Sequence, residues 1–347
     1  MSSLFEPDGA FIASPDFVLH VGDARDILAR LPDGSIDCCV TSPPYWGLRD
    51  YGVDGQIGLE QTPDEFVEAM VSVFAAVRRV LKQTGTLWLN LGDSYAGGGC
   101  GARDPERWPK QSRNDHMPKH VKAGTTLKDK DLVGVPWRVA LALQADGWFL
   151  RSDIIWSKPN PMPESVQDRP TKAHEYLFLL TKAPRYFYDA KAIQERAVGP
   201  DRGHGMTRGV TGPHAEQAGL ERRARRTALI PRQTTEGIGS QGIGSSTFGH
   251  WPVEGVRNAR SVWEIATNPY PEAHFAVFPE ELPRRCILAG CPAGGVVLDP
   301  FMGSGTTAKV ARDLGRKAVG IELNPEYARL CDSRNAQQTI YAAESAA

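Results

Sequence analysis

The sequence has almost no net charge, few cysteines and no long apolar run, and each shortage narrows the class of protein. With 40 Lys and Arg against 41 Asp and Glu over 347 residues, its formal charge is −1. It is no polycation, so a nucleic-acid partner has to be met by local basic patches. Cys38, Cys39, Cys100, Cys286, Cys291 and Cys331 show no Cys-x-x-Cys spacing and no histidines at metal-ligand intervals. They read as buried thiols in a reducing cytoplasm, and no metal site is expected. No apolar run of about 18 residues and no charged start followed by an apolar segment occurs, so a soluble, cytoplasmic protein without membrane contact is expected. A hydrophobic content of 41% and a charged content of 23% are ordinary for a globular chain long enough for a large core.

Among what is present, Thr41-Ser42-Pro43-Pro44-Tyr45-Trp46 stands out. It follows the apolar run Ile36-Asp37-Cys38-Cys39-Val40, which reads as a buried parallel strand. Two successive prolines stop the strand, because neither donates to a ladder nor continues into a helix. A Ser hydroxyl, a carbonyl of fixed direction and an aromatic ring are then held at the carboxyl edge of a sheet, where open α/β sheets bind ligands. Such a corner can accept two hydrogen bonds from an exocyclic amino group and lay a ring against the attached heterocycle.

Elsewhere the pattern alternates strand and helix. Residues 17–30 read as a strand, a turn at Gly22-Asp23 and a helix, with Asp23 either the helix N-cap or an acceptor for a bound adenine. Residues 47–60 lack a period and read as a mobile loop. Pro63 opens a helix with apolar positions Phe66, Met70, Val73, Phe74, Val77, Val80 and Leu81, and Gly85 to Asp93 follows as a buried strand. Residues 97–130 carry eight basic residues against four acids, as a disordered insert or a phosphate-contacting loop would. A helix is predicted over 135–145. Phe149 to Trp156 and His174 to Thr181 make two strands joined without a helix, hence an antiparallel hairpin. The Pro-rich loop between them carries Lys158 and Asn160. Residues 198–260 are rich in Gly, Ser and Thr, with the cluster Arg222, Arg223, Arg225 and Arg226. This segment reads as a small recognition region or a linker.

A second motif lies near the end. Gly295 to Asp299 is an apolar strand, Pro300-Phe301-Met302-Gly303-Ser304-Gly305 a glycine turn, and Thr306-Thr307 the approach to a helix. The turn lets backbone approach a ligand, and the helix start offers free N–H groups to a carboxylate. Glu322 ends the next strand, placed to accept ribose hydroxyls. The turn lacks both the third glycine of a dinucleotide fingerprint and the Gly-Lys-Ser/Thr ending of a phosphate-binding loop.

Taken together, Ser42-Pro43-Pro44-Tyr45 resembles the Ser/Asp/Asn-Pro-Pro-Tyr/Phe signature of DNA amino-methyltransferases, and Asp299 to Thr307 resembles their S-adenosylmethionine motif. With the catalytic motif first and the cofactor motif last, the order resembles the permuted β group of bacterial and phage restriction-modification enzymes, over most of residues 17–334. The resemblance implies an α/β, doubly wound, mostly parallel seven-stranded sheet with an antiparallel hairpin strand. Residues 1–190 would form the catalytic half, 191–260 a target-recognition region and 261–347 the cofactor half. It also implies that Ser42, Pro43, Pro44 and Tyr45 are catalytic. Asp23, Phe278, Pro279, Asp299, Pro300 and Phe301 would bind S-adenosylmethionine together with Gly303, Ser304, Gly305, Thr306 and Glu322. Lys158, Asn160 and the four arginines at 222, 223, 225 and 226 would meet double-stranded DNA. A homodimer and a separate cognate restriction endonuclease are further expected partners.

The implied reaction is methyl transfer to a flipped-out base. An exocyclic amine donates its lone pair into the ring, so Ser42 and the Pro43 carbonyl would take its protons and aim that lone pair at the sulfonium methyl, with positioning as the main source of rate. Ser at position 42 leans to cytosine N4 by family resemblance. Adenine N6 stays open, as does a silent DNA-binding module. The C5-cytosine route needs a Cys after Pro, and the chain contains no Pro-Cys pair.

Overall fold

Local chemistry starts and stops each element. The structure, a computed structural model, describes residues 4, 10–48, 50–96, 126–197, 255–267 and 278–344, with side chains to residue 336. β1 (Ile12–Ala13) and β2 (Phe17–Val21) lead to Asp23, which accepts the Arg25 backbone N–H at 2.7 Å and caps α1 (Ala24–Arg30). β3 (Ile36–Thr41) is buried throughout. Thr62 and Glu65 form a capping box at α2 (Pro63–Val80), whose first-turn proline gives up an N–H that has no partner there anyway. β4 (Leu81–Leu91) begins directly after it rather than at Gly85. Asp93 accepts the N–H groups of Gly134 and Val135, both at 3.0 Å, and so caps α3 (Val135–Ala145) from a distance.

β5 (Phe149–Ser157) and β6 (His174–Thr181) form the expected antiparallel hairpin. The chain continues through β7 (Glu195–Arg196), β8 (Val256–Arg257), β9 (Val262–Glu264) and α4 (Glu281–Gly290). It closes with β10 (Val296–Asp299), α5 (Thr306–Asp313), β11 (Lys317–Glu322) and α6 (Pro325–Glu344).

The main sheet has nine strands in the order β1-β2-β11-β10-β3-β4-β6-β5-β9. β2, β11, β10, β3 and β4 run parallel, and β6 runs antiparallel to both β4 and β5. The expected seven strands are extended by β1 and β9 at the two edges. These are only 2 and 3 residues long, too short to show a strand period in sequence. Successive residues of β3 face opposite layers: Cys39 packs with α1, α2 and α3, while Cys38 and Val40 pack with α4 and α5. Cover on both faces is why β3 reads as a continuous apolar run. Cys38, Cys39, Cys286, Cys291 and Cys331 are free and buried.

The permuted connection has one consequence for the site. From β10 the chain moves to β11 on one side, and from β3 it moves to β4 on the other, so β10 and β3 flank a topological switch point. The two sequence motifs leave the carboxyl ends of these two strands.

By contacts the chain divides into Met1–Ile193 with Ala259–Ala347, and Gln194–Asn258. Within the second unit β7 pairs antiparallel with β8, and Glu195 meets Arg257 at 3.4 Å. The arginines at 222, 223, 225 and 226 lie outside the described residues, as do residues 97–125 and His274 to Val277. Among the described residues no helix is long and apolar enough to cross a membrane.

Candidate active site

At the end of β3 the Pro-Pro corner holds Ser42 half-buried beside a buried Pro43. The Tyr45 ring lies against Gly92, just past β4. A Cβ at Gly92 would stand 2.4 Å from Tyr45 Cε2, so only glycine admits the ring there. The Tyr45 hydroxyl donates to Glu175 Oε2 at 2.6 Å. Asn90 Nδ2 donates its two protons to the Tyr45 oxygen at 2.8 Å and to Glu175 Oε2 at 2.9 Å, and stands 3.3 Å from Ser42 Oγ. Burial works to raise the Glu175 pKa, but the Lys158 ammonium and the Tyr45 and Asn90 bonds outweigh it and hold the carboxyl below its ordinary value. Burial, reinforced by Glu175, pushes the Tyr45 phenol well up, so it keeps its proton.

Three expectations change here. Lys158 does not stand free for DNA phosphates: it is ion-paired with Glu175 and lies 4.3 Å from the centre of the Trp156 ring. Asn160 is likewise engaged, donating to the Thr267 carbonyl and accepting its N–H, each at 3.0 Å, which clasps the Pro-rich loop. The ends of the loop expected to be mobile, over 47–60, are tied to each other. Gly47 N–H bonds the Gly58 carbonyl at 2.8 Å, and the Trp46 indole donates to the Glu60 carbonyl at 2.9 Å.

On the other side of the switch point, Glu322 ends β11 half-buried. Its Oε2 accepts the Gly303 N–H at 2.7 Å and its Oε1 the Asn324 N–H at 2.8 Å. Each oxygen keeps a lone pair, so the carboxylate still has room for two hydroxyl donors. Burial raises the Glu322 pKa against these two bonds. Gly303 has φ +54°, and a Cβ there would meet nothing within 4 Å. A glycine with open space over it, next to a carboxylate with free lone pairs, fits a ribose-bearing cofactor. Phe301 is half-exposed on the same turn, and Pro300 is buried beneath it.

Several predicted cofactor residues face elsewhere. Asp299 is buried, with Thr41 and Thr307 hydroxyls on its two oxygens, each at 2.7 Å, and the Phe301 N–H at 3.1 Å. Arg334 of α6 donates to the hydroxyls of Ser304 at 3.2 Å and Thr306 at 2.8 Å. A Cβ at Gly305 would come 2.5 Å from Cys331 Sγ and 2.6 Å from Asn335 Nδ2, so this glycine is required by the packing of α6. Asp23 serves as the α1 cap and is chelated by Arg25, which holds its pKa low. The Gly22 N–H bonds the Glu322 carbonyl at 2.9 Å, which brings the turn that carries Asp23 beside the end of β11. Phe278 packs on the core and the buried Pro279 opens α4 through its carbonyl, 3.0 Å from Leu282 N. Glu175, Asn90 and Arg334 were not legible as site residues, since nothing near them in sequence has a motif. The His174-Glu175 pair, polar at the start of an apolar strand, is the one available signal.

This geometry agrees with comparison to known families. A family model described as DNA methylase matches residues 36–333. The chain belongs to the DNA methylase family. The methylase is 46% identical to the Type II methyltransferase M.XycI of Xanthomonas campestris pv. cyanopsidis, over 91% of this chain and 86% of the relative. It is also 46% identical to the Type II methyltransferase M.SmaI of Serratia marcescens, over 90% of this chain and 89% of that one. Two solved structures share the methylase's fold. The PvuII cytosine-N4-specific DNA methyltransferase has a TM-score of 0.55 at 19% identity, covering 92% of this chain and 86% of its own. A Thermus thermophilus protein solved with S-adenosyl-L-methionine has a TM-score of 0.52 at 23% identity, covering 92% and 94%.

Proposed function

We propose that this methylase transfers a methyl group from S-adenosylmethionine to the exocyclic N4 of cytosine, flipped out of double-stranded DNA, within a Type II restriction-modification pair. The observation that carries it is the pairing across the switch point. Ser42 and the Pro43 carbonyl leave β3, while Gly303 and Glu322 stand at the ends of the neighbouring β10 and β11. Bound at Gly303 and Glu322, S-adenosylmethionine supplies an electrophilic methyl group. Glu322 accepts the ribose hydroxyls and the open space over Gly303 admits the ligand.

The base has to leave the duplex, at a few kcal/mol of stacking and pairing. The Tyr45 ring restores stacking, worth about 1–3 kcal/mol per base. The Ser42 hydroxyl and Pro43 carbonyl accept the two amino protons, drawing the nitrogen lone pair out of conjugation. The amino proton released on transfer leaves toward these acceptors and bulk water. Target recognition is assigned to residues 191–260, and the Type II kinship supports a separate endonuclease of the same specificity.

The test is the product. Duplex DNA treated with the enzyme and labelled methyl donor, digested to nucleosides and chromatographed, should release N4-methylcytosine; N6-methyladenine would overturn the choice of base. Sequencing the modified DNA then gives the target site.

A further inference from the structure

Five side chains at the catalytic corner form one hydrogen-bonded cluster, and the direction of its bonds is dictated from one end. Glu175 and Lys158 have side chains only 14% and 19% exposed. An ionised carboxylate has no proton to give, so the 2.6 Å contact between Tyr45 and Glu175 has to carry the phenol's proton. The Tyr45 oxygen is thereby left as an acceptor, and the nearest hydroxyl donor to it is Ser42, at 3.4 Å. Asn90 is oriented by the same carboxylate. Its Nδ2 meets Glu175 Oε2, Tyr45 and Ser42, whereas a flipped amide would set oxygen against carboxylate. With the two Asn90 protons on Tyr45 and Glu175, Ser42 Oγ turns its own proton to Tyr45 and keeps its lone pairs free.

We propose that the buried Lys158–Glu175 pair sets the polarity of the corner, fixing Ser42 as an acceptor and so selecting a base that presents an amino group over one that presents a carbonyl. The inference rests on the reading that Ser42 meets the exocyclic group of the target base. With cytosine or adenine, an N–H faces the free lone pair. With uracil or thymine, two acceptors face each other, and no hydrogen bond replaces the one lost. Lys158 and Glu175 act through Tyr45 and Asn90 and touch no substrate, so they are positioning residues. The charged and titratable groups around Glu175 are Lys158 at the end of β5, Lys172 in the loop before β6 and Tyr45 at the corner. Asp93, past β4, faces Lys172, and Tyr51 acts on Tyr45.

The test uses the intact enzyme and duplexes carrying the sequenced target site, with cytosine or uracil at the methylated position. Glu175→Gln gives Tyr45 a neighbour able to donate, so single-turnover methylation should fall about 100-fold, as for loss of one preorganised catalytic dipole. S-adenosylmethionine affinity should hold within about twofold, because the cofactor residues are untouched. The wild type should bind the cytosine duplex more tightly than the uracil duplex, and Glu175→Gln should narrow that preference to what the Pro43 carbonyl alone supplies. Lys158→Met removes the cation that holds the Glu175 pKa down. Its rate should then acquire an acid limb at higher pH than the wild type, with recovery as pH rises and Glu175 ionises again. Tyr45→Phe breaks the relay without touching the ion pair, and should narrow the cytosine preference likewise even if Lys158→Met fails to fold.

A Glu175→Gln enzyme with wild-type rate and wild-type preference would overturn the proposal, as would a Lys158→Met profile superimposable on the wild type. If the product is N6-methyladenine, the cytosine reading falls while the polarity argument stands, tested with adenine against hypoxanthine. If Ser42→Ala keeps its rate, the corner is not the acceptor and both fall.

Discussion

The Thr41 hydroxyl donates to Asp299 Oδ1 at 2.7 Å, joining residues 258 positions apart. Thr307 holds the other oxygen at the same distance. One buried carboxylate thus ties the residue before Ser42 to the first turn of the helix that follows the glycine turn. The group proposed to meet the base and the groups proposed to meet the cofactor are fixed to each other through it, which suits a reaction governed by positioning.

Asp299 should also leave a mark on stability. Burial pushes its carboxyl up to about 6 against the pull of the Thr41, Thr307 and Phe301 bonds, from an ordinary 3.8. The folded state therefore binds the extra proton between those values, and this group's contribution to stability falls as pH rises through that window. Asp299→Asn removes the titration. The unfolding free energy of the wild type minus that of Asp299→Asn, from denaturant titrations at stepped pH, should decline between about pH 4 and 6 and then level off. A difference flat across the whole range would show that Asp299 titrates normally.

The two glycines of the turn should separate cleanly. Gly305→Ala drives a methyl into Cys331 and Asn335, at 2.5 and 2.6 Å, and also pays for a left-handed backbone at φ +82°, so overpacking and strain together should cost about 2–5 kcal/mol of stability. Gly303→Ala meets nothing within 4 Å and pays only for its left-handed backbone, roughly 1–2 kcal/mol. Its methyl should instead weaken S-adenosylmethionine binding at least tenfold. Thermal melts and calorimetry of both variants check this, and unchanged affinity in Gly303→Ala would place the cofactor elsewhere.

Ser42→Ala and Tyr45→Ala should differ in kind. Ser42→Ala removes an acceptor used chiefly at transfer, so the single-turnover rate should drop about 100-fold with DNA and cofactor affinity preserved. Tyr45→Ala removes the surface on which the extruded base rests and empties the space over Gly92. The fluorescence of 2-aminopurine at the target position should then report less extrusion as well as slower transfer. Loss of DNA binding in Ser42→Ala with an intact rate would make the corner a docking surface.

The basic stretch at Arg222, Arg223, Arg225 and Arg226 should govern salt dependence. If each arginine neutralises a phosphate, replacing all four with Ala should flatten the slope of log K against log salt by about 3 to 4 units. An unchanged slope would return the stretch to a linker.

The sequence by itself determined the two motifs, their order and the sheet that holds them. Each of those rests on local rules: consecutive prolines end a strand, glycines permit a tight turn, and apolar period separates α2 from β4. The antiparallel hairpin was legible because no helix fits between β5 and β6. Tertiary structure alone decided which of the motif residues look into the site. Asp299, Ser304, Thr306 and Gly305 sit in the cofactor motif yet serve Thr41, Thr307, Arg334 and α6, because burial on a two-faced sheet forces each polar group to find a partner wherever the fold brings one. Glu175 and Asn90 reached Ser42 and Tyr45 by the opposite route. They come from strands distant in sequence, and only the register of β4 with β6 sets their polar atoms beside the corner.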